Sequence, residues 1–457
     1  MAKNIIVIGS GAAGMSAASA SRKQDGDARI TVFTEDSDIA YSPCVIPWAL
    51  EGKASWESIV MHSPGYYLSE KDIAVHTETK VTSVDDTAKT VTAGGLEYPY
   101  DKLVVCAGGT VFIPPIPGTD LENVFVVRTI REGKKLQNAL GSAEKVVIAG
   151  AGVIGLEVAL SLRNMGKDVT VIEMMDQVIP RIADRDMAAP IQEYLEGLGI
   201  EFVMNSPVQS VNGEGRVSGV TAAGREYPCD MVVFATGVRA NLDIPKMLGL
   251  DIGQLGGVIV SPTMQPYRRG RLVADVYLAG DMVQCQSAAV PGATMSQLGS
   301  TAVKQGIVAG RNAAGGTTAF GAVASPWVSV IGEKQIAGTG LSEGLAAWYG
   351  IEAVSGTSRG YTRARYYPGG RELMVKVIAD RVSHRIIGAQ IIAGEDATGR
   401  INWLTSAVIE GVTAEDFLVR AENAYCPPTS MVRDVVITAV EDLCARFLGC
   451  YRDEDGV

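Results

Sequence analysis

One local pattern occurs twice in this chain and restricts its fold more than any other feature. An apolar strand runs directly into a glycine turn, which opens a helix of small residues. The first copy is Asn4-Ile-Ile-Val-Ile-Gly9-Ser-Gly11-Ala-Ala13-Gly14, continued by Met15 to Ser21. The second is Lys145-Val-Val-Ile-Ala-Gly150-Ala-Gly152-Val-Ile-Gly155-Leu-Glu157. In each, the first glycine permits the tight turn and the second lets a pyrophosphate approach the backbone. The third lets helix and strand pack closely, with the helix N-terminus facing the phosphates. A second apolar strand follows each copy, Arg29-Ile-Thr-Val-Phe33 and Val169-Thr-Val-Ile-Glu173, so the pattern predicts two dinucleotide-binding units within an α/β fold.

The two copies differ where the second strand ends. Glu173 closes its strand with the carboxylate that accepts from an adenosine 2′-hydroxyl and repels a 2′-phosphate, and the following Met174, Met175 and Asp176 offer no cation. The second unit therefore predicts NADH rather than NADPH. In the first unit that position is Thr34, and Glu35, one residue on, is the candidate substitute. Further apolar strands end in small residues at Val104-Val-Cys-Ala-Gly-Gly109 and Val232-Val-Phe-Ala-Thr-Gly237, and a third, Val276-Tyr-Leu-Ala-Gly280-Asp281, ends in an acid.

Charge and cysteine usage narrow the setting. Forty basic against 51 acidic residues leave a net charge of −11, and the cations form no run, which disfavours nucleic acid and anionic membranes as partners. No secretory leader precedes Ile5, and the longest apolar run, Val146 to Leu162, is broken by three glycines and Glu157, so a soluble cytoplasmic protein without a membrane span is expected. Seven scattered cysteines lack Cys-x-x-Cys spacing, and there are only three histidines; neither a disulfide framework nor a bound metal is expected.

From residue 4 to about 310 the order of these motifs resembles the pyridine nucleotide-disulfide oxidoreductases. The resemblance implies FAD in the first unit, NADH in the second, and a return of the chain to the FAD domain through Gly280 and Asp281, which would hold the ribityl chain. The paired cysteines of the glutathione and lipoamide reductases are missing. Tyr41-Ser-Pro-Cys44-Val-Ile-Pro47-Trp48 resembles instead the single-cysteine branch of coenzyme A-disulfide reductases, NADH oxidases, NADH peroxidases and polysulfide or persulfide reductases. Cys44 and Pro47 match that branch, whereas Pro43 and Trp48 depart from it. Thiol chemistry needs a thiolate, which a helix N-terminus favours, and Pro47 suits the first turn of such a helix. Cys106, Cys229 and Cys285 read as small buried side chains.

The last third resembles the dimerisation domain of the same branch, with Tyr366-Tyr367-Pro368-Gly-Gly, strands over 372–379 and 386–392, a helix around 402–410, and Ala424-Tyr425-Cys426-Pro427-Pro428. The resemblance implies a homodimer in which Tyr425 and one of Tyr366 or Tyr367, with Tyr367 preferred, reach the partner's cysteine and flavin. Cys426 stands where related domains have alanine and is a candidate second thiol. It also puts Arg22 and Lys71 where coenzyme A phosphates are held.

The implied division is an FAD domain over 1–113 and 244–322, an NADH domain over 114–243, and an α+β dimerisation domain over 323–457. The implied activity passes hydride from NADH through flavin to Cys44, which reduces a small disulfide, persulfide, polysulfide or peroxide. The rival expectation is an electron-transfer subunit whose flavin exchanges electrons between NAD and a separate iron-sulfur partner protein, since this chain has no iron-sulfur ligands of its own.

Overall fold

The computed structural model describes residues 2–448; Cys450 lies outside them. Three five-stranded sheets organise the chain. The first is wholly parallel, in the order 276–278, 102–105, 4–8, 29–33, 73–76. Its central strand Asn4–Ile8 is covered on both faces, so Ile5 to Ile8 are all buried and the strand reads as an unbroken apolar run without alternation. The second sheet is also parallel, in the order 201–203, 168–172, 145–149, 231–234, 124–126. A short antiparallel pair, Gly109–Val111 with Val238–Ala240, carries the chain out of the first sheet and back.

The third sheet is antiparallel, in the order 327–331, 334–340, 386–393, 372–380, 353–361. Helices Ala397–Glu410 and Val435–Phe447 cover one face through Ile401, Leu404, Val408, Val436, Val440 and Leu443. The second nucleotide-binding unit shares a core with the other face: Leu156, Met187 and Ile191 cluster with Ile331, Ile336 and Ile392. Ile46 and Leu50, from the short helix after Cys44, join the same cluster and are fully buried. One apolar core thus ties together the cysteine segment, the second glycine unit and the third sheet. Among the described residues no helix is long and apolar enough to cross a membrane.

Candidate active site

The two glycine turns are built alike. Gly9 and Gly150 adopt φ of +103° and +107°, and their amides donate to Phe33 and Ile172 carbonyls, both at 2.8 Å. A Cβ on Gly14 would lie 1.9 Å from the Gly9 carbonyl oxygen, and one on Gly155 would lie 2.1 Å from that of Gly150, so only glycine lets helix and turn meet as they do. At Gly11 and Gly152 an added Cβ meets nothing within 4 Å. That open face, beside the N-termini of helices Ala12–Gln24 and Val153–Asn164, fits the pyrophosphates of FAD and NADH. Ala13 lies on the opposite side, buried against Gly280 and the helix Gly299–Ala313.

The strand ends diverge as their sequences do. Glu173 is buried and accepts from the Ala151 amide at 2.7 Å and the Met175 amide at 2.8 Å, so its carboxylate faces the second glycine turn. Thr34 occupies the equivalent position in the first unit, where its hydroxyl accepts from Ser10 Oγ at 3.0 Å. Glu35 projects into solvent and pairs with Lys80 at 3.2 Å. The carboxylate next to Thr34 therefore serves a surface ion pair, because the strand has already ended and the side chain alternates to the outer face.

Asp281 follows the strand Val276–Leu278 at the carboxyl edge of the first sheet, the edge at which open α/β sheets bind ligands. Its partner is Arg128, Nη2 to Oδ2 2.6 Å, with both side chains largely buried. Sequence reading misses Arg128, whose only local signal is the capping box of Thr129 and Glu132 that starts the next helix. Gly280 donates its amide to Gln305 Oε1 at 2.8 Å. Gly237, at φ +100°, lies at the linking pair, where its carbonyl accepts from Phe112 N at 2.9 Å.

Cys44 is exposed, in the 3₁₀ turn Pro43–Val45 that leads into the five-residue helix Ile46–Leu50. The other cysteines of the two nucleotide units are buried, and burial pushes the thiols of Cys106 and Cys229 up to about 12 and that of Cys285 up to about 11. Those three are packing groups. Tyr41, three residues before Cys44, is pinned inside: burial pushes its phenol up to about 12 while its oxygen accepts from Ile130 N at 3.4 Å.

Arg22 and Lys71 line one cavity of about 610 Å³, with Lys23, His62 and Tyr66. Arg22 is engaged within the chain itself. Its guanidinium already donates to the carbonyls of Lys71 at 3.0 Å, Gly26 at 2.5 Å and Asp72 at 2.6 Å, and to Asp72 Oδ2 at 3.0 Å. Three of these four bonds hold the end of the helix Pro64–Lys71, and the fourth goes to Gly26, just past Arg22's own helix. Lys71 and the unpredicted Lys23 carry the available charge, and the His62 ring stacks on Tyr66 at 4.0 Å. Met61 N donates to the Ala40 carbonyl at 3.1 Å, which joins the cavity wall to the segment leading to Cys44.

In the third sheet's domain the hydroxyls of Tyr366 and Tyr425 meet at 2.7 Å, and that bond holds the Tyr425 phenol above its usual range. Tyr366, not the preferred Tyr367, thus bonds Tyr425; the backbone amide of Tyr367 donates to the Ala364 carbonyl at 2.9 Å, and its ring is exposed. Cys426 is exposed beside them, its amide accepted by Ser430 Oγ at 3.2 Å. Among the described residues no three His, Cys, Asp or Glu side chains are grouped as a metal would require.

Residues 3–306 match the family model described as pyridine nucleotide-disulphide oxidoreductase, and residues 327–435 match the dimerisation domain of the same family. The chain belongs to that family. It is an FAD-dependent oxidoreductase that uses NADH. It is 41% identical over 445 residues to an NADH oxidase of Methanocaldococcus jannaschii, covering 96% of this chain and 98% of that protein. It is 30% identical over 441 residues to an NAD(P)H coenzyme A polysulfide/persulfide reductase of Pyrococcus horikoshii, covering 96% and 97%. The solved structure of an NAD-dependent persulfide reductase from A. fulgidus superposes with a TM-score of 0.94 at 32% identity, over 98% of this chain and 84% of that one.

Proposed function

We propose that this enzyme oxidises NADH and delivers the electron pair to Cys44, which reduces a small disulfide or persulfide. The observation that carries the reading is the contrast among the cysteines of the two nucleotide units: three are buried and hard to ionise, and Cys44 alone is exposed. The FAD domain spans 1–113 and 244–322, the NADH domain 114–243, and the dimerisation domain begins at 323. Two copies associate, so that the Tyr366–Tyr425 pair and Cys426 of one subunit face the Cys44 region of the other.

Bound FAD supplies two-electron hydride chemistry. The chain's own residues do the rest. The turn at Gly150, Gly152 and Gly155 takes the NADH pyrophosphate, and Glu173 takes the adenosine hydroxyl. The turn at Gly9, Gly11 and Gly14 takes the FAD pyrophosphate, and Asp281, oriented by Arg128, takes the ribityl hydroxyls. Cys44 Sγ attacks one sulfur of the substrate disulfide, the S–S bond breaks, one thiolate leaves and takes up a proton, and a mixed disulfide to Cys44 remains. Two electrons from NADH and a second proton then regenerate the Cys44 thiol and the second product thiol. The net change is NADH, a proton and one disulfide giving NAD⁺ and two thiols. The cavity beside Lys23, Lys71, His62 and Tyr66 suits a thiol carried on a nucleotide-like, phosphorylated tail such as coenzyme A, the word in the Pyrococcus relative's name.

Cys44→Ser tests the reading. The variant should keep its FAD and its bleaching by NADH, because serine scarcely changes volume. Reduction of coenzyme A disulfide or polysulfide should fall by at least a hundredfold, since a hydroxyl forms no mixed disulfide. Anaerobic titration should take the wild type beyond two electrons per flavin and the variant to two. If both take two and both pass them equally fast to a one-electron acceptor, an electron-transfer subunit with an iron-sulfur partner replaces this reading.

A further inference from the structure

Lys376 is the most deeply buried cation among the described residues outside the nucleotide turns, with 3% of its surface exposed, and the chemistry above does not use it. It sits in the strand Glu372–Asp380 of the dimerisation domain. Its ammonium donates to Asp186 Oδ1 at 2.9 Å and Oδ2 at 3.1 Å and to Glu343 Oε2 at 2.9 Å, and lies 3.3 Å from Asp184 Oδ2. Burial alone would push this ammonium down; the surrounding carboxylates of Asp184, Asp186 and Glu343 reverse that and hold it above its usual range.

Two of its partners belong to the NADH domain. Asp184 is the N-cap of the helix Arg185–Gly197, yet its side chain makes no bond to that helix. It accepts instead from Gln390 Nε2 at 2.7 Å and the Glu343 amide at 2.9 Å, both on the dimerisation side. From Asp184 a continuous hydrogen-bonded path leads to the nucleotide turn. Ala183 N donates to the Ile179 carbonyl at 3.2 Å, Ile179 N donates to the Ala151 carbonyl at 2.9 Å, and Ala151 N donates to Glu173 Oε2 at 2.7 Å. The middle of that path is strained. Ile179 is a β-branched, 1% exposed residue held at φ +49°, a conformation that persists only where its surroundings impose it.

We propose that Lys376 is a positioning residue for NADH: from the dimerisation domain it anchors the segment 174–184 against the second glycine turn and so keeps the adenosine pocket formed. The proposal rests on the reading of Glu173 as the ribose ligand. Loss of the anchor lets Ile179 relax out of its strained conformation, which frees the Ala151 carbonyl and loosens the turn. The nicotinamide end, set by other residues, is unaffected once NADH is bound.

The test is Lys376→Met in the FAD-loaded enzyme, with ADP-ribose binding measured by calorimetry beside steady-state kinetics. The expected result is at least tenfold weaker ADP-ribose binding, at least a tenfold higher KM for NADH, kcat within threefold of wild type, and recovery of both constants in Lys376→Arg. A lower melting temperature with unchanged ADP-ribose affinity and KM overturns the proposal and leaves a merely structural ion cluster. Asp186→Asn keeps Lys376 paired with Asp184 and Glu343 and serves if the methionine variant does not fold. It should weaken ADP-ribose about threefold, and an unchanged affinity overturns the proposal as well. Glu173→Ala separates the two readings: if it leaves ADP-ribose binding intact, the pocket assignment fails, and if it weakens binding while the Lys376 and Asp186 variants do not, only the anchor fails.

Discussion

The two glycine turns share one backbone and differ in one side chain. In the second, Glu173 receives two backbone amides and puts a buried carboxylate beside the dinucleotide site. In the first, Thr34 puts a neutral hydroxyl there, bonded to Ser10, and the nearest carboxylate faces solvent. On the function proposed above, the backbone geometry supplies what every dinucleotide needs, an open path to helix N-termini, while a single strand-end residue supplies discrimination. A cofactor that stays bound needs no discrimination at that position and can be gripped elsewhere, on the same reading at the ion pair of Asp281 and Arg128. A co-substrate chosen afresh in each turnover needs the charge.

The largest effect that can break this comparison comes from the turns themselves. Gly9→Ala would set a methyl 2.2 Å from the Cys106 carbonyl oxygen at φ +103°, and Gly150→Ala one 2.6 Å from that of Ala235 at φ +107°. Gly9→Ala should lose most of its flavin, read from the 450 to 280 nm absorbance ratio. Gly150→Ala should keep its flavin and raise the KM for NADH more than tenfold, at least about 1.4 kcal/mol of binding. Loss of flavin in both would mean that the two units do not hold separate nucleotides.

Nucleotide choice is the next largest. Wild type should prefer NADH to NADPH by at least tenfold in kcat/KM, about 1.4 kcal/mol. Glu173→Ala should shrink that preference, chiefly through KM, and Met174→Arg added to it should shrink it further by offering a cation to the 2′-phosphate. Equal use of both nucleotides by wild type would remove the role given to Glu173.

The smallest effect sharpens the contrast. Thr34→Ala deletes one neutral hydrogen bond and should weaken FAD binding by no more than about 1 kcal/mol, measured by reconstitution of the apoprotein. A loss as large as that of NADH affinity in Glu173→Ala would show that the neutral strand end also carries its ligand.

Much of this molecule was legible residue by residue. Strand, turn and helix around Gly9 and Gly150 follow from sterics acting within about a dozen positions, and the carboxylate of Glu173 follows from its place at a strand end. Cys44 stood out by its motif, and the structure adds that its rivals in the nucleotide units are buried. What the sequence left open shares a cause. Arg22 has a plausible position along the chain, but its Nη2 bonds the end of a helix 50 residues away. Tyr366 and Tyr367 are neighbours in sequence, and only the folded turn decides that the first meets Tyr425, 59 residues on.

By itself the sequence determined the α/β class and two dinucleotide units, and it marked the carboxylate at residue 173 and the candidate thiol at residue 44, because each depends on hydrogen bonding and sterics between near neighbours. Tertiary structure alone decided which charges meet: Arg128 with Asp281 across 153 positions and Lys376 with Asp186 across 190. Such pairs leave no local period or spacing. They exist because the packing of three sheets around shared apolar cores brings distant segments together and excludes the water that would otherwise keep each charge apart.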